Sequence, residues 1–308
     1  MSSVSASAPV SRLPATAEGT SSAAFGTYEW GLVATVSLVW GASYLLIADG
    51  LETLEPGVVA WLRIVFGLAV LWSLPRARNT HIARSDWPRV VLIGVIWFAI
   101  PMTMFPIAEQ WVSSSVAGML NGALPIIAAT IAAVLLRRPP GLMQTVGVVV
   151  GFGGVVLISL PSLQGGSRTA LGVLLVLVAI VSYGFAGNLV VPLSHRYGSI
   201  AVIPRALAVA LVLTTPYAAV GAADSSFAAR SFGAVLLLGA VGTGMAFVLA
   251  ATVLARVGAT RGSVIAYLIP VVALVLGVVV KDDHVDAIAV VGLGVVLVGA
   301  WLTSRAGR

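Results

Sequence analysis

Long apolar runs separated by short polar turns make up most of the chain. Ten runs stand out, at about 30–48, 56–75, 88–107, 112–135, 141–160, 169–190, 199–221, 231–254, 259–280 and 285–303. An α-helix needs about 20 apolar residues to cross the hydrocarbon core of a bilayer, so each run predicts a transmembrane helix. The runs are continuous rather than alternating, which excludes a transmembrane β-barrel. The turns are so short that consecutive helices are expected to be antiparallel neighbours. The predicted fold is therefore all-α and integral to the membrane.

Composition agrees with this pattern. Of the 308 residues, 59% are hydrophobic and 9% charged. A soluble domain carries about 25% charged residues, and a globule this poor in charge has too little polar surface to face water. The net charge of +6 does not indicate a nucleic-acid partner, because the basic residues punctuate apolar runs instead of clustering on one polar face. Residues 1–29 are read as a disordered cytoplasmic tail, rich in Ser, Ala, Pro and Thr. With no cysteine in the chain, disulfides and thiolate chemistry are excluded.

Charge also predicts orientation. With the N-terminus inside, the inner segments hold Arg12, Arg76, Arg78, Arg84, Arg89, Arg137, Arg138, Arg196, Arg256, Arg261, Arg305 and Arg308. The outer segments hold Arg168, Arg230 and Lys281, while Arg63 and Arg205 fall within runs. This positive-inside bias predicts a multi-pass plasma (inner) membrane protein with both termini cytoplasmic.

A repeat lies beneath the helix pattern. At an offset of 145 residues Pro125 matches Pro270, Gly94 matches Gly239, Gly147 matches Gly292 and Gly154 matches Gly299. With small gaps, Trp40-Gly41 matches Tyr183-Gly184 and Arg63 matches Arg205. The expected organisation is a first five-helix repeat at 30–160, a linker at 161–168 and a second repeat at 169–304. Five helices per half is an odd number, so the ten transmembrane helices form two inverted repeats. Such halves exchange conformations and expose one central site to each side in turn.

Taken together, Trp40-Gly41, Arg63, AGMLNGALP at 117–125 and GATRGSVIAYLIP at 258–270 give a sequence that resembles the EamA-type transporters of the drug/metabolite transporter superfamily. The resemblance covers about 30–304 and implies a ten-helix secondary transporter, often an exporter of amino acids or related compounds. It also implies a Gly-Glu pair after the fourth and ninth helices. Here those positions read Leu136-Arg137 and Lys281-Asp282, leaving Asp282 as the acid that stands in for that glutamate.

Polar and aromatic side chains inside apolar runs need partners or a cavity. The candidate substrate-binding residues are Trp40, Tyr44, Arg63, Trp97, Asn121, Tyr183, Asn188, Arg205 and Tyr267. For Arg63 and Arg205 two readings stand: tying loop carbonyls together, or binding a substrate carboxylate. For Asn121 and Tyr267, each one turn before a proline, they are the cavity wall or helix–helix hydrogen bonding. Trp40 and Tyr183 face a cavity, or else serve packing or an interfacial belt. Pro125 and Pro270 are expected to kink their helices, as gates or as static packing features.

Other chemistry is missing from the sequence. There is no P-loop, HExxH or G-x-S-x-G segment. His81, His195 and His284 are placed in loops and form no metal set; neither metal nor cofactor is expected. No carboxylate lies in mid-membrane, so a coupling acid is limited to Glu109, Glu55 or Asp282. The expected activity is secondary or facilitated transport of a small metabolite by alternating access, not catalysis, with export indicated by the resemblance alone. A membrane-embedded enzyme and a non-transporting scaffold are the alternatives. Expected partners are a small-molecule substrate, the lipid bilayer and, as an open alternative, a second copy of the chain in a homodimer.

Overall fold

The computed structural model describes residues 20, 26–135, 141–164, 166–258, 262 and 265–305. Most of the expected N-terminal tail, together with Arg137, Arg138, Arg261 and Arg308, lies outside the described residues. The described residues are helices joined by short turns, without a strand.

In chain order the main helical segments are α1 (Thr27–Gly50), α2 (Pro56–Trp72), α3 (Arg84–Ala108), α4 (Ser114–Leu135) and α5 (Leu142–Gln164). They continue as α6 (Ser167–Tyr197), α7 (Ser199–Gly221), α8 (Ala229–Val257), α9 (Ile265–Lys281) and α10 (Ala287–Arg305). Seven of them are long and apolar enough to cross a membrane. The three shorter apolar helices, of 10–17 residues, are α2, α9 and the Ala287–Thr303 part of α10. His195, expected in a loop, lies instead in the last turn of α6, where a ring nitrogen sits 2.6 Å from the carbonyl oxygen of Ala255.

The helix ends follow from local chemistry. Pro56 opens α2, where its missing N–H costs nothing. Gly198 and Gly258, at φ of 80° and 82°, end α6 and α8 in a conformation that side chains resist.

In lipid there is little hydrophobic drive between helices, so close packing through small residues holds them together. The offset glycines are where this happens. A Cβ on Gly154 would lie 2.5 Å from the Val296 nitrogen, and one on Gly299 would lie 2.4 Å from the Gly151 nitrogen, so α5 and α10 meet backbone to backbone. Gly41 brings α1 against Val272 of α9, and Gly184 brings α6 against Ile127 of α4. Contacts recur in corresponding pairs: α1 with α9 and α6 with α4, α2 with α8 and α7 with α3, α3 with α6 and α8 with α1. The outer faces carry exposed apolar side chains such as Leu142, Val149, Phe152, Val212 and Val220, as a lipid-facing surface requires.

Two long helices loosen at matching places. Residues Gly94–Ala99 of α3 and Leu238–Met245 of α8 are π-helical, and Asn121–Ala123 of α4 form a 3₁₀ turn. Interruptions of this kind mark sites where a helix surrenders regular bonding to something else.

Candidate functional site

Between the helices lies a cavity of about 80 Å³. Its wall includes side chains from α1, α2, α3, α4, α6, α8 and α9. The volume exceeds the ~10–15 Å³ that one water requires. Much of the lining is aromatic. Phe247 stands between Trp40 and Trp97, with ring centroids 4.8 Å and 5.3 Å away. From Tyr183 the series continues to Phe105, stacked at 6.0 Å, and then to Tyr44, edge-on at 5.4 Å.

One guanidinium sits in this wall. Arg63 is 3% exposed, lines the cavity and donates from Nε to Thr243 Oγ1 at 3.1 Å. The π-helical stretch of α8 makes that acceptor available. The Thr243 hydroxyl donates to the carbonyl of Leu238, five residues back, and so offers its lone pair to Arg63. In the same stretch the Gly242 carbonyl accepts from the indole of Trp40 at 3.0 Å. Close approach of α2 to α8 is set by glycine, since a Cβ on Gly239 would lie 2.7 Å from the Arg63 carbonyl oxygen. Among the described residues Arg63 has no ion pair.

Further polar groups with unused capacity line the same cavity. The Asn121 side-chain oxygen is buried without a hydrogen bond among the described residues. Leaving such a group unmet costs about 1–3 kcal/mol. Neither the Tyr44 nor the Tyr183 hydroxyl has a hydrogen-bond partner among the described residues, and both side chains line the cavity. A cation, two hydroxyls and an amide thus converge inside an aromatic box. That arrangement suits a small ligand with one anionic group and an apolar body.

Six of the nine residues expected from sequence line this cavity: Trp40, Tyr44, Arg63, Trp97, Asn121 and Tyr183. Three lie elsewhere. Asn188 is fully buried and donates to the carbonyls of Gly184 and Ala128, joining α6 to α4. Arg205 donates to the carbonyls of Ala77, Arg78, Thr80 and Ala201, clasping the turn before α3. Tyr267 donates to the Ala300 carbonyl of α10 at 2.8 Å. Periodicity does not separate these roles, because either use of a polar side chain satisfies it within an apolar helix. Phe105 and Phe247 line the cavity but read as ordinary apolar residues in the sequence.

Both prolines are buried, Pro125 just after the 3₁₀ turn and Pro270 within α9. Pro270 packs against Gly122 of the 3₁₀ turn, on which a Cβ would lie 3.1 Å from Pro270 Cγ.

Where α1 ends and α8 begins, a polar layer joins the helices. Lys281 pairs with Asp49 at 2.5 Å and with Glu52 at 2.6 Å, and Arg230 pairs with Asp49 at 3.1 Å. Asp283 accepts from the Ser114 and Ser115 hydroxyls and the Ser115 backbone N–H at 2.8–3.0 Å. The acid that meets α4 is thus Asp283 rather than Asp282, whose φ of 54° is spent on turning the chain. Among the described residues no cluster of His, Asp and Glu fits a metal ion.

Comparison with known proteins gives a consistent picture. The model of the EamA-like transporter family matches twice, over residues 29–160 and 170–305. An uncharacterized transporter of Archaeoglobus fulgidus is 25% identical, over 90% of this chain and 99% of its own length. The inner membrane transporter YedA of Escherichia coli, also uncharacterized, is 24% identical over 89% and 90%. A protein of Streptantibioticus cattleyicolor named as a probable terminal-alkyne amino-acid exporter is 26% identical over 90% and 93%. A solved crystal structure superposes with a TM-score of 0.66 at 18% identity, covering 92% of this chain and 99% of that one; this likeness concerns the fold alone.

Proposed function

The chain belongs to the EamA-like transporter family, and we propose that it exports a small metabolite bearing a carboxylate, such as an amino acid, by alternating access through the Arg63 cavity. The carrying observation is Arg63 itself. A guanidinium buried in a membrane protein costs about 2.5–3.5 kcal/mol at mid-bilayer, yet among the described residues this one has only the neutral Thr243 as hydrogen-bond partner. A carboxylate entering the cavity would supply the missing anion with charge-assisted hydrogen bonds, while the aromatic wall would take the apolar remainder. The name of the S. cattleyicolor relative points to the same chemical class, and export rests on the family likeness.

In this reading all ten helices cross the bilayer as two inverted halves, 30–160 and 169–304, with both termini cytoplasmic. The matched glycine offsets, the paired helix contacts and the double family match support it. The shorter α2, α9 and α10 cross where the membrane thins or flanking side chains reach its surface. The layer of Asp49, Glu52, Arg230, Lys281 and Asp283 acts as the outer gate. Pro125 and Pro270 form the hinge between α4 and α9, since each removes a helix hydrogen bond.

The test is efflux from proteoliposomes carrying wild type or Arg63→Gln. Loss of carboxylate efflux by folded R63Q protein supports the reading, and unchanged efflux refutes it.

A further inference from the structure

Glu109 occupies the turn between α3 and α4, outside both helices. The residue as a whole is half-buried, yet both carboxyl oxygens are sealed from solvent and neither has a hydrogen bond among the described residues. It does not line the cavity, but it lies within electrostatic reach of Arg63, which does.

We propose that Glu109 is a proton-binding site coupled to Arg63, so that proton uptake at Glu109 and carboxylate binding at Arg63 favour one another. This rests on the reading that Arg63 takes the substrate carboxylate. Glu109 feels the charge of Arg63 without pairing with it. When a carboxylate docks on Arg63, an ionised Glu109 would be a second anion near one guanidinium in a low-dielectric site, and proton uptake at Glu109 removes the surplus charge. The step is proton binding alone, carboxylate plus proton giving the neutral acid, with no other bond made or broken. By reciprocity, the neutral acid leaves Arg63 free to hold substrate more tightly.

The surroundings fit a titrating group. Burial pushes the Glu109 carboxyl well above the ordinary carboxylate range, Arg63 pulls the other way, and Asp283 adds to the rise. Arg63 of α2, Tyr44 of α1 and Asp283 of the α9–α10 turn are the groups that act on or feel Glu109. On α6, Tyr183 acts on Arg63, and Arg168 in the first turn is exposed. Asp283 is held by Ser114 and Ser115, whereas neither Glu109 oxygen has a hydrogen bond among the described residues.

Infrared titration of the purified protein tests this without substrate. Wild type is expected to show a protonated-carboxyl band that E109Q lacks, and R63Q is expected to raise its midpoint by about 1–3 pH units. Should R63Q fail to fold, the wild type decides: benzoate raises the midpoint and benzamide does not. A band unaffected by E109Q, or a midpoint unmoved by R63Q or by bound benzoate, overturns the coupling while leaving the carboxylate reading intact. Loss of efflux in R63Q with no such band would likewise separate the two.

Discussion

Arg63 of α2 and Thr243 of α8 are joined across the bundle by a 3.1 Å hydrogen bond from Nε to Oγ1. They are 180 residues apart in sequence. The bond exists because α8 is π-helical there, which lets the Thr243 hydroxyl reach back to Leu238 and accept from Arg63. Thr243→Val keeps the shape and removes the acceptor. We expect it to destabilise the protein by about 1.5–3 kcal/mol, the range for hydrogen bonds to charged groups. Thermal unfolding in detergent measures this, with Thr252→Val, a bond within one helix turn, as the milder control.

Helix approach around that bond depends on glycine. A Cβ at Gly239 meets the Arg63 backbone at 2.7 Å, and one at Gly67 meets the Gly239 oxygen and the Gly244 nitrogen at 3.0 Å. Backbone cannot yield as a flexible side chain does, so Gly239→Ala and Gly67→Ala are expected to lower the yield of monodisperse protein on size exclusion. Gly153→Ala and Gly294→Ala, where nothing lies within 4 Å, should be neutral or stabilising by up to about 1 kcal/mol.

Arg205 separates structure from transport. Because it clasps the carbonyls of Ala77, Arg78 and Thr80, Arg205→Gln should lower the melting temperature while the folded fraction keeps its ligand specificity. Arg63→Gln should cost ligand specificity even in the fraction that stays folded. Melting curves and efflux, measured on the same preparations, check both.

The stability of the protein should depend on Glu109. Its carboxyl is raised in the folded state, so its contribution is fully present below the unfolded value near 4.3. That contribution disappears as pH rises through the folded value. Wild type therefore loses stability on alkalinisation, by about 1.4 kcal/mol for each unit between the two values. E109Q should give a flatter profile of melting temperature against pH.

The polar layer should control access. Lys281→Gln breaks two ion pairs and Asp283→Asn weakens three hydrogen bonds. Either is expected to speed labelling of a cysteine introduced at Ile47, the lining residue of α1 nearest that layer, by a membrane-impermeant thiol reagent. The absence of native cysteine makes the readout clean.

Much of this was legible in the sequence because lipid simplifies the code. Helix positions follow from apolar run length, and the glycine offsets that suggest a repeat are the same glycines that pack α5 on α10. The cavity was legible in part. Trp40, Tyr44, Arg63, Trp97, Asn121 and Tyr183 stand out by being polar or large among apolar neighbours. Phe105 and Phe247 do not, since a phenylalanine facing a cavity looks like one facing lipid. Arg63 and Arg205 occupy similar sequence positions, yet their surroundings differ: α8 offers a single hydroxyl to one, and the turn at 77–80 offers three carbonyls to the other. The π-helical stretches that create the Thr243 acceptor leave no signal in hydrophobic periodicity.

The central claim, that Arg63 holds the carboxylate of a transported metabolite, is tested most directly by flux. Proteoliposomes with wild-type or Arg63→Gln protein are loaded with an amino-acid mixture and the matching amides, and release is followed by mass spectrometry. Wild type should release at least one acid but not its amide, and folded R63Q should release neither. Equal release of acid and amide, or wild-type release by R63Q, would contradict the account.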